Sequence, residues 1–176
     1  MQIVVKWDPR GLDSFKRATD TLGTPKVRQI LHYALDQVGN KATTEIKRAL
    51  VKVTGIKYGE VGKAVKAAKS SASHLVYEIT GTGRHYGLSH FSPTQTAAGV
   101  QASPWGTTRV FPHTFLIESL GGNVFKHGEG RSIKKLWGPS IPVEMEREAI
   151  ADVAFRKFVD RELPNAVDTK LKQYMP

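Results

Sequence analysis

One uninterrupted helical pattern constrains the fold of this chain more than any other feature of its sequence. Apolar side chains recur at spacings of three and four residues at Val27, Ile30, Leu31, Ala34, Val38, Ala42, Ile46, Ala49, Leu50 and Val53. This spacing predicts an α-helix over 25–53, about 43 Å long at ~1.5 Å per residue. Thr24-Pro25 supplies its start signal and Thr54-Gly55 its stop signal, and Gly39-Asn40 is its weakest point. So long a helix with a narrow apolar stripe is typical of an elongated or assembling protein.

Shorter patterns flank the long helix. The apolar run 3–7 predicts a strand, and Asp8-Pro9 predicts the start of a helix that ends at Gly23. Beyond the long helix, apolar residues at the spacing of a helix face predict a basic helix over 57–69. Residues 74–80 alternate in the manner of a strand, with three apolar side chains on one face.

The middle of the chain, residues 81–140, is rich in Gly, Pro, Ser, Thr and His. Its short apolar pieces predict antiparallel strands at 99–102, 109–111, 114–117 and 124–126, with a long loop around 83–98. A last long helix is expected over 142–162, ended by Pro164 and followed by a short terminal helix over 165–174. Its expected buried positions are Val143, Ile150, Val153, Ala154, Phe158 and Val159.

These elements predict an α+β fold. A long N-terminal helix and a shorter basic helix pack with a small antiparallel sheet, and a C-terminal helix follows. At 176 residues the chain is expected to form a single domain over 1–176. Within it we distinguish an N-terminal arm and helix (1–24), a core region (25–142) and a C-terminal helical segment (143–176).

The charge of the chain is strongly positive and unevenly spread. Lys and Arg number 26 against 16 Asp and Glu, so the formal net charge is +10, and the first seventy residues carry +8 of it. An excess of this size predicts attraction to nucleic acid, to an anionic membrane surface or to an acidic protein face. A membrane is the poorest fit, because no apolar run approaches the ~20 residues of a span and no helix offers a bulky apolar face.

Seven basic residues of the first half form what we call the basic strip. Lys41, Arg48 and Lys52 share one face of the long helix, and Lys57, Lys63, Lys66 and Lys69 continue along the next predicted helix. The strip has two interpretations: a surface that faces DNA or an acidic partner, or simply a solvated helix face. Because no base-reading motif is present, any DNA contact is expected to be non-specific.

The chemistry of common enzyme classes is missing from the sequence. The chain contains no cysteine, and its six histidines match no zinc-binding spacing. The nucleophile elbow Gly-x-Ser-x-Gly and the phosphate-binding P-loop motif are both absent. Carboxylates are also sparse in 71–140, where the loops lie. We therefore expect neither an enzyme nor a metal or cofactor; a hydrolase that uses His85, His90 or His113 is the least favoured alternative.

Several stretches, taken in order, carry a family resemblance. Thr54-Gly55-Ile56 follows the long helix, and Phe91-Ser92-Pro93-Thr94-Gln95-Thr96 precedes Gly99-Val100. Phe115-Leu116-Ile117 comes next, and the most specific piece is Lys134-Lys135-Leu136-Trp137-Gly138-Pro139-Ser140-Ile141-Pro142. Over about 25–150 the chain thereby resembles the phage minor tail protein Z family, the tail completion proteins of long-tailed, non-contractile phages.

The resemblance implies a non-enzymatic structural protein of the virion, assembled in the host cytoplasm and placed in the tail neck. Such a protein completes the head-proximal end of the tail and enables head–tail joining. Its implied partners are further copies of itself in a ring, with six-fold symmetry as one option, and the tail terminator, head–tail connector and tape measure proteins. Non-specific contact with genomic DNA is also implied, and a basic non-specific DNA-binding protein is the alternative function. The candidate interface or structural motif comprises Phe91, Pro93, Leu136, Trp137, Gly138, Pro139 and Pro142.

Overall fold

The computed structural model of this chain describes the backbone of residues 2–6 and 24–174 and the side chains of 25–147 and 160–174. Within these ranges the helices are Thr24–Thr54 (α1), Tyr58–Ala64 (α2), Ile141–Glu146 (α3) and Glu148–Tyr174 (α4). The strands are Gln2–Lys6 (β1), Val65–Ala68 (β2), Val76–Gly81 (β3), Thr94–Thr96 (β4), Gly99–Ala102 (β5), Arg109–Pro112 (β6), Thr114–Ile117 (β7), Asn123–His127 (β8) and Ile133–Lys135 (β9). The predicted α+β class is confirmed. The helix expected between Asp8 and Gly23 lies outside the described residues.

Helix α1 is the long helix that the sequence predicts, and it stays helical through its expected weak point. Gly39 is buried there because the Tyr77 ring of β3 packs on it: a Cβ atom at position 39 would lie 2.5 Å from that ring. The Tyr77 hydroxyl donates to Asn40 Oδ1 at 3.0 Å. Strand β3 therefore packs on α1 at Gly39-Asn40, and glycine is required there because any side chain would collide with the Tyr77 ring.

Helix α4 packs antiparallel on α1 along a stripe of Leu163, Val167 and Leu171, all buried. Lys41 and Glu162 bridge the two helices with a 2.8 Å ion pair, and Tyr174 lies near Tyr33 at the other end of the pair. Packing of this stripe buries part of the long apolar face of α1.

The prediction that Pro164 ends the last helix is wrong, because α4 continues through it to Tyr174. A proline inside a helix leaves one carbonyl without its usual donor and disturbs the next hydrogen bond. The Asn165 side-chain amide donates to the carbonyl of Arg161 at 3.0 Å and so satisfies an acceptor at the disturbed turn. Burial of Leu163 and Val167 on either side of the proline offsets the remaining cost.

The last long helix is also divided where the sequence predicts continuity, since α3 ends at Glu146 and α4 begins at Glu148. Val143 is 42 % exposed, so its expected burial is wrong. Helix α3 directs Ile141 and Met145, four residues apart, into the core, and Val143 lies between them on the outer side. The other expected buried positions, Ile150, Val153, Ala154, Phe158 and Val159, lie outside the described side chains.

The helix predicted over 57–69 is correct only as far as Ala64. Strand β2 begins at Val65 and pairs antiparallel with β3, Val65 lying opposite Gly81 and Ala68 opposite Glu78. The Lys-Ala-Ala-Lys run favours a helix by propensity, but main-chain pairing with β3 outweighs a preference of a few tenths of a kcal/mol per residue. Lys66 and Lys69 therefore do not continue a helix face from Lys63.

The strands form three antiparallel sheets of three strands each, where the sequence predicts one small sheet. The strand orders are β1-β3-β2, β4-β5-β6 and β7-β8-β9. The four strands predicted in the middle of the chain are present within one residue at either end. Strand β4 lies inside the predicted loop 83–98, and β9 has no counterpart among the predicted strands. Both are only three residues long, which is too short for a local alternation to show.

Candidate functional site

The run from Leu136 to Pro142 is fastened to the preceding loop by main-chain hydrogen bonds. Gly138 donates to the carbonyl of Tyr86 at 2.7 Å, and Tyr86 donates to the carbonyl of Pro139 at 3.0 Å. Leu136 donates to the carbonyl of Val124 at 2.9 Å and is partly buried against the core. The run therefore joins sheet β7-β8-β9 to the segment around Tyr86 before it enters α3.

Side-chain packing explains most of the residues in this run. A Cβ atom at Gly138 would lie 2.8 Å from the Phe91 ring, so only glycine lets the two segments meet. Phe91 is buried, Pro139 is buried, and Pro93 is half-buried in the loop beyond Phe91. Pro142 lies in the first turn of α3, where a missing N–H leaves no intrahelical hydrogen bond unmade.

Trp137 is the exception in this run, because its side chain is 53 % exposed. Its neighbours Leu136 and Gly138 face inward, and alternate residues of an extended segment point to opposite sides. The Lys135 ammonium lies 4.4 Å from the centroid of the indole ring, which is a cation–π distance. The indole is therefore held outward with a cation over one of its faces.

Two grooves share Trp137 as a lining residue, and together we call them the Trp137 cleft. Arg84, His85 and Trp137 line both parts. The cationic half, about 400 Å³, is also lined by Lys63, His90 and Lys135, and the apolar half, about 700 Å³, by Pro142 and Val143. Among the residues that the structure describes, no Asp or Glu lines either half. The cleft thus places exposed apolar surface beside a cationic rim.

Glu60 is the carboxylate that the structure places at the edge of this rim. Lys63 donates to Glu60 Oε1 at 2.7 Å, and this hydrogen bond, reinforced by the attraction of the charges, raises the pKa of the lysine and lowers the pKa of the glutamate. Burial raises the pKa of the nearby Tyr86, whose ring meets His90 edge-on with 5.2 Å between centroids. Arg84 and Lys135 make no ion pair with any described residue.

The basic strip does not follow two successive helix faces, because Lys66 lies in β2 and Lys69 follows that strand. Lys41 is paired with Glu162, Arg48 with Glu45 at 2.6 Å, and Lys63 with Glu60. The other four cations, all exposed, are spread over the end of α1, the start of α2 and strand β2 and its following residue: Lys52, Lys57, Lys66 and Lys69. Of the seven basic-strip residues, Lys63 lines the Trp137 cleft.

The sequence did not identify Arg84 or Lys135 as site residues. Arg84 follows a Gly-Thr-Gly run that fails as a nucleotide loop, and Lys135 is part of the most specific piece of the family resemblance. The spacing of Lys135 and Trp137 could have indicated their association. Residues two positions apart lie on the same face of an extended segment.

A serine, a histidine and an aspartate do meet in this fold, at a place the sequence could not indicate. The Ser70 hydroxyl donates to Asp36 Oδ1 at 2.8 Å, and His32 Nδ1 lies 2.9 Å from Ser70 Oγ. Because the single hydroxyl proton is directed to the carboxylate, the imidazole acts as donor to the serine. In a hydrolase the imidazole must instead accept the serine proton. Ser70 is also buried, so the cluster anchors the end of β2 to α1.

Another piece of the resemblance, Thr54-Gly55-Ile56, has a structural role. The Thr54 hydroxyl bonds the carbonyl of Leu50 and the amide of Ile56, and Gly55 takes a φ of 72° that favours glycine, so Thr54-Gly55-Ile56 ends α1. Gly55 meets the turn that carries Trp105, whose indole donates to buried Glu144 Oε1 at 2.8 Å. The carboxylate's other oxygen lies 3.2 Å from the Arg147 guanidinium, without the geometry of a hydrogen bond.

In the described part of the chain, no group of three or more His, Asp or Glu side chains is placed to hold a metal ion. None of the helices found there is both long and apolar enough to cross a membrane. Comparison of the chain with protein-family models, with curated proteins and with solved structures gives no match.

Proposed function

We propose that this chain is a structural protein of a phage virion that completes the head-proximal end of the tail and enables head–tail joining. The observation that carries the proposal is the contrast within Leu136–Pro142, the run with the strongest family resemblance. The residues on either side of Trp137 in this run are packed against the core or hydrogen-bonded to it, yet the Trp137 side chain is held outward in an open cleft. An exposed tryptophan on a rigid support is typical of an assembly interface.

The composition of the cleft favours binding over catalysis. Acid–base chemistry needs two titratable groups that converge on one point. The cleft offers His85 and His90 but no carboxylate lining among the described residues, and the Ser70 cluster is arranged for anchoring. We therefore propose a non-enzymatic role that needs no cofactor.

The proposed partners follow from the same role. Copies of the chain would form a ring, six-fold in the simplest match to a tail, and the ring would meet the tail terminator, the head–tail connector and the tape measure protein. A heterologous contact between copies, repeated by rotation, closes into a ring. The long helix α1 would form the spine of each copy in such a ring. The proposed location is the neck of the virion.

Electron microscopy of particles made with the gene deleted tests this proposal. We expect tails that do not join heads, and joining restored by the wild-type chain supplied in trans. A Trp137→Ala chain should restore it poorly, whereas Leu120→Ala, which removes an equally exposed apolar side chain elsewhere, should restore it fully. Normal infectious particles from the deletion would overturn the proposal.

A basic, non-specific DNA-binding protein is the second candidate. The observation in its favour is that Lys66 and Lys69 are exposed and make no ion pair with the described residues. This function predicts binding to duplex DNA that weakens with salt. The logarithm of the binding constant should fall by several units for each tenfold rise in salt concentration. Changing Lys63, Lys66 and Lys69 to Glu should abolish the binding, and the same change at Lys41, which is already paired, should have a smaller effect. Binding that is absent or insensitive to salt would exclude it.

A further inference from the structure

The two halves of the Trp137 cleft differ in a way that specifies an occupant. In one half, Lys135 makes the surface cationic beside Lys63, whose charge is paired with Glu60, and Arg84 extends the positive charge along both halves. In the other half, exposed Val143 and half-buried Pro142 make the surface apolar. A ligand that satisfies both halves carries negative charge at one end and a bulky apolar group at the other.

We propose that the Trp137 cleft binds a short extended segment of another protein in which acidic residues lie next to a bulky apolar side chain. The carboxylates would meet Arg84 and Lys135, and the apolar side chain would enter between Trp137 and Val143. The inference deepens the proposed function and rests on it in one respect, that the segment belongs to a neighbouring protein of the tail neck.

Charge complementarity supports this occupant. No carboxylate of the described residues lines the cleft, and Glu60 at its edge is paired with Lys63, so an acidic segment would be attracted to Arg84 and Lys135. Apolar contact with Trp137 and Val143 would then supply the part of the affinity that salt does not screen.

A strand of nucleic acid fits the same surface less well. Its phosphates could meet the cationic half, but the apolar half offers an aliphatic and a proline side chain, Val143 and Pro142, which match no part of a sugar–phosphate backbone. One face of the Trp137 ring is already covered by the Lys135 ammonium, so a base cannot stack there.

Fluorescence anisotropy with the full chain tests the proposal. The probe is a fluorescein-labelled peptide with the sequence Glu-Glu-Glu-Gly-Leu-Phe. One control peptide carries Gln for Glu and another carries Ser-Ser for Leu-Phe, and labelled single-stranded DNA serves as the competing ligand class. We expect the probe to bind at least about tenfold more tightly than either control peptide, as for the loss of a central interface contact.

Variants of the chain locate the binding. Trp137→Ala, Arg84→Glu and Val143→Asp should each weaken binding of the probe by about tenfold or more. Lys52→Glu and Leu120→Ala, which change an exposed charge and an exposed apolar side chain that do not line the cleft, should leave it unchanged. Circular dichroism and thermal melting confirm that each variant is folded, and Trp137 and Val143 are exposed enough for this to be expected.

Three results would overturn the inference: equal affinity for the probe and the Ser-Ser peptide, no effect of Trp137→Ala and Val143→Asp, or DNA binding that the same substitutions abolish. These results are distinguishable from failure of the proposed function. Peptide binding that depends on the cleft, together with normal particles from the gene deletion, would leave the cleft assigned and reject the tail role. A Trp137→Ala chain that loses the peptide but restores head–tail joining would keep the tail role and reject a neck protein as the source of the segment.

Discussion

Replacing Gly39 by alanine sets two opposing effects against each other where α1 packs on β3. In an ordinary helix interior the change is favourable, because alanine is a better helix former than glycine by about 1 kcal/mol. In this fold the new methyl group would lie 2.5–2.6 Å from three atoms of the Tyr77 ring, well inside the 3.4 Å at which ordinary contact begins. The ring must therefore move by about an ångström or the helix must shift away.

The surroundings of Tyr77 make that movement costly. The ring is 0 % exposed, and its hydroxyl donates to Asn40 Oδ1 at 3.0 Å and lies 3.4 Å from Thr43 Oγ1. Overpacking a close-packed core costs about 1–3 kcal/mol, and a weakened hydrogen bond adds about 1 kcal/mol. After the helix gain of about 1 kcal/mol is set against this cost, we expect a net loss of about 2 kcal/mol. For a domain of this size the melting temperature should fall by about 4–8 °C.

Thermal and urea denaturation of Gly39→Ala, followed by circular dichroism, measures this loss. The matched control is Gly62→Ala in α2, where a Cβ atom would have no neighbour within 4 Å. That variant should keep the helix gain and be as stable as the wild type or slightly more so. In a Tyr77→Leu background Gly39→Ala should cost less than it does in the wild type, since the smaller side chain can move aside. The reasoning is refuted if Gly39→Ala stabilises the protein as much as Gly62→Ala does.

Three further changes test other contacts of the fold by urea denaturation. Trp105→Phe removes the indole donor to buried Glu144 and should lower the free energy of unfolding by about 1–3 kcal/mol; an unchanged value would show that the contact contributes nothing. Pro164→Ala should raise it by about 1–3 kcal/mol, because the helix regains a main-chain donor, and a loss would mean that the proline relieves strain. Lys41→Met should lower it by less than about 1 kcal/mol, and less at high salt, as expected for an exposed ion pair; a larger, salt-independent loss would argue against that account.

The elements that the sequence predicts well are those with a long local signal. Helix α1 repeats its apolar spacing over many turns, and its start and stop residues agree with that spacing, so its ends are correct to within one residue. Strand β3 alternates over its whole length, and Tyr77 and Ile79 are buried as that alternation requires. In both cases the local preference and the packing point to the same structure.

The wrong predictions lie where a tertiary contact opposes a local preference. Lys66 to Lys69 would favour a helix, but the segment is within reach of β3 and completes its ladder. Pro164 ordinarily stops a helix, but the buried stripe of α4 continues beyond it on α1. Neither outcome can be read locally, because each depends on a surface supplied by residues ten or more positions away.

The Trp137 cleft shows why a count of charges is a poor guide to a binding surface. Most of the net charge lies in the first seventy residues, yet Lys41, Arg48 and Lys63 there each meet a carboxylate. The less basic middle of the chain supplies Arg84 and Lys135, which meet none among the described residues. Attraction for an acidic partner depends on which cations keep their charge uncompensated, and this is set by where the few carboxylates fall in the fold. The sequence can total the charges, but it cannot say that residues as far apart as 63, 84 and 135 will share one rim beside an exposed indole.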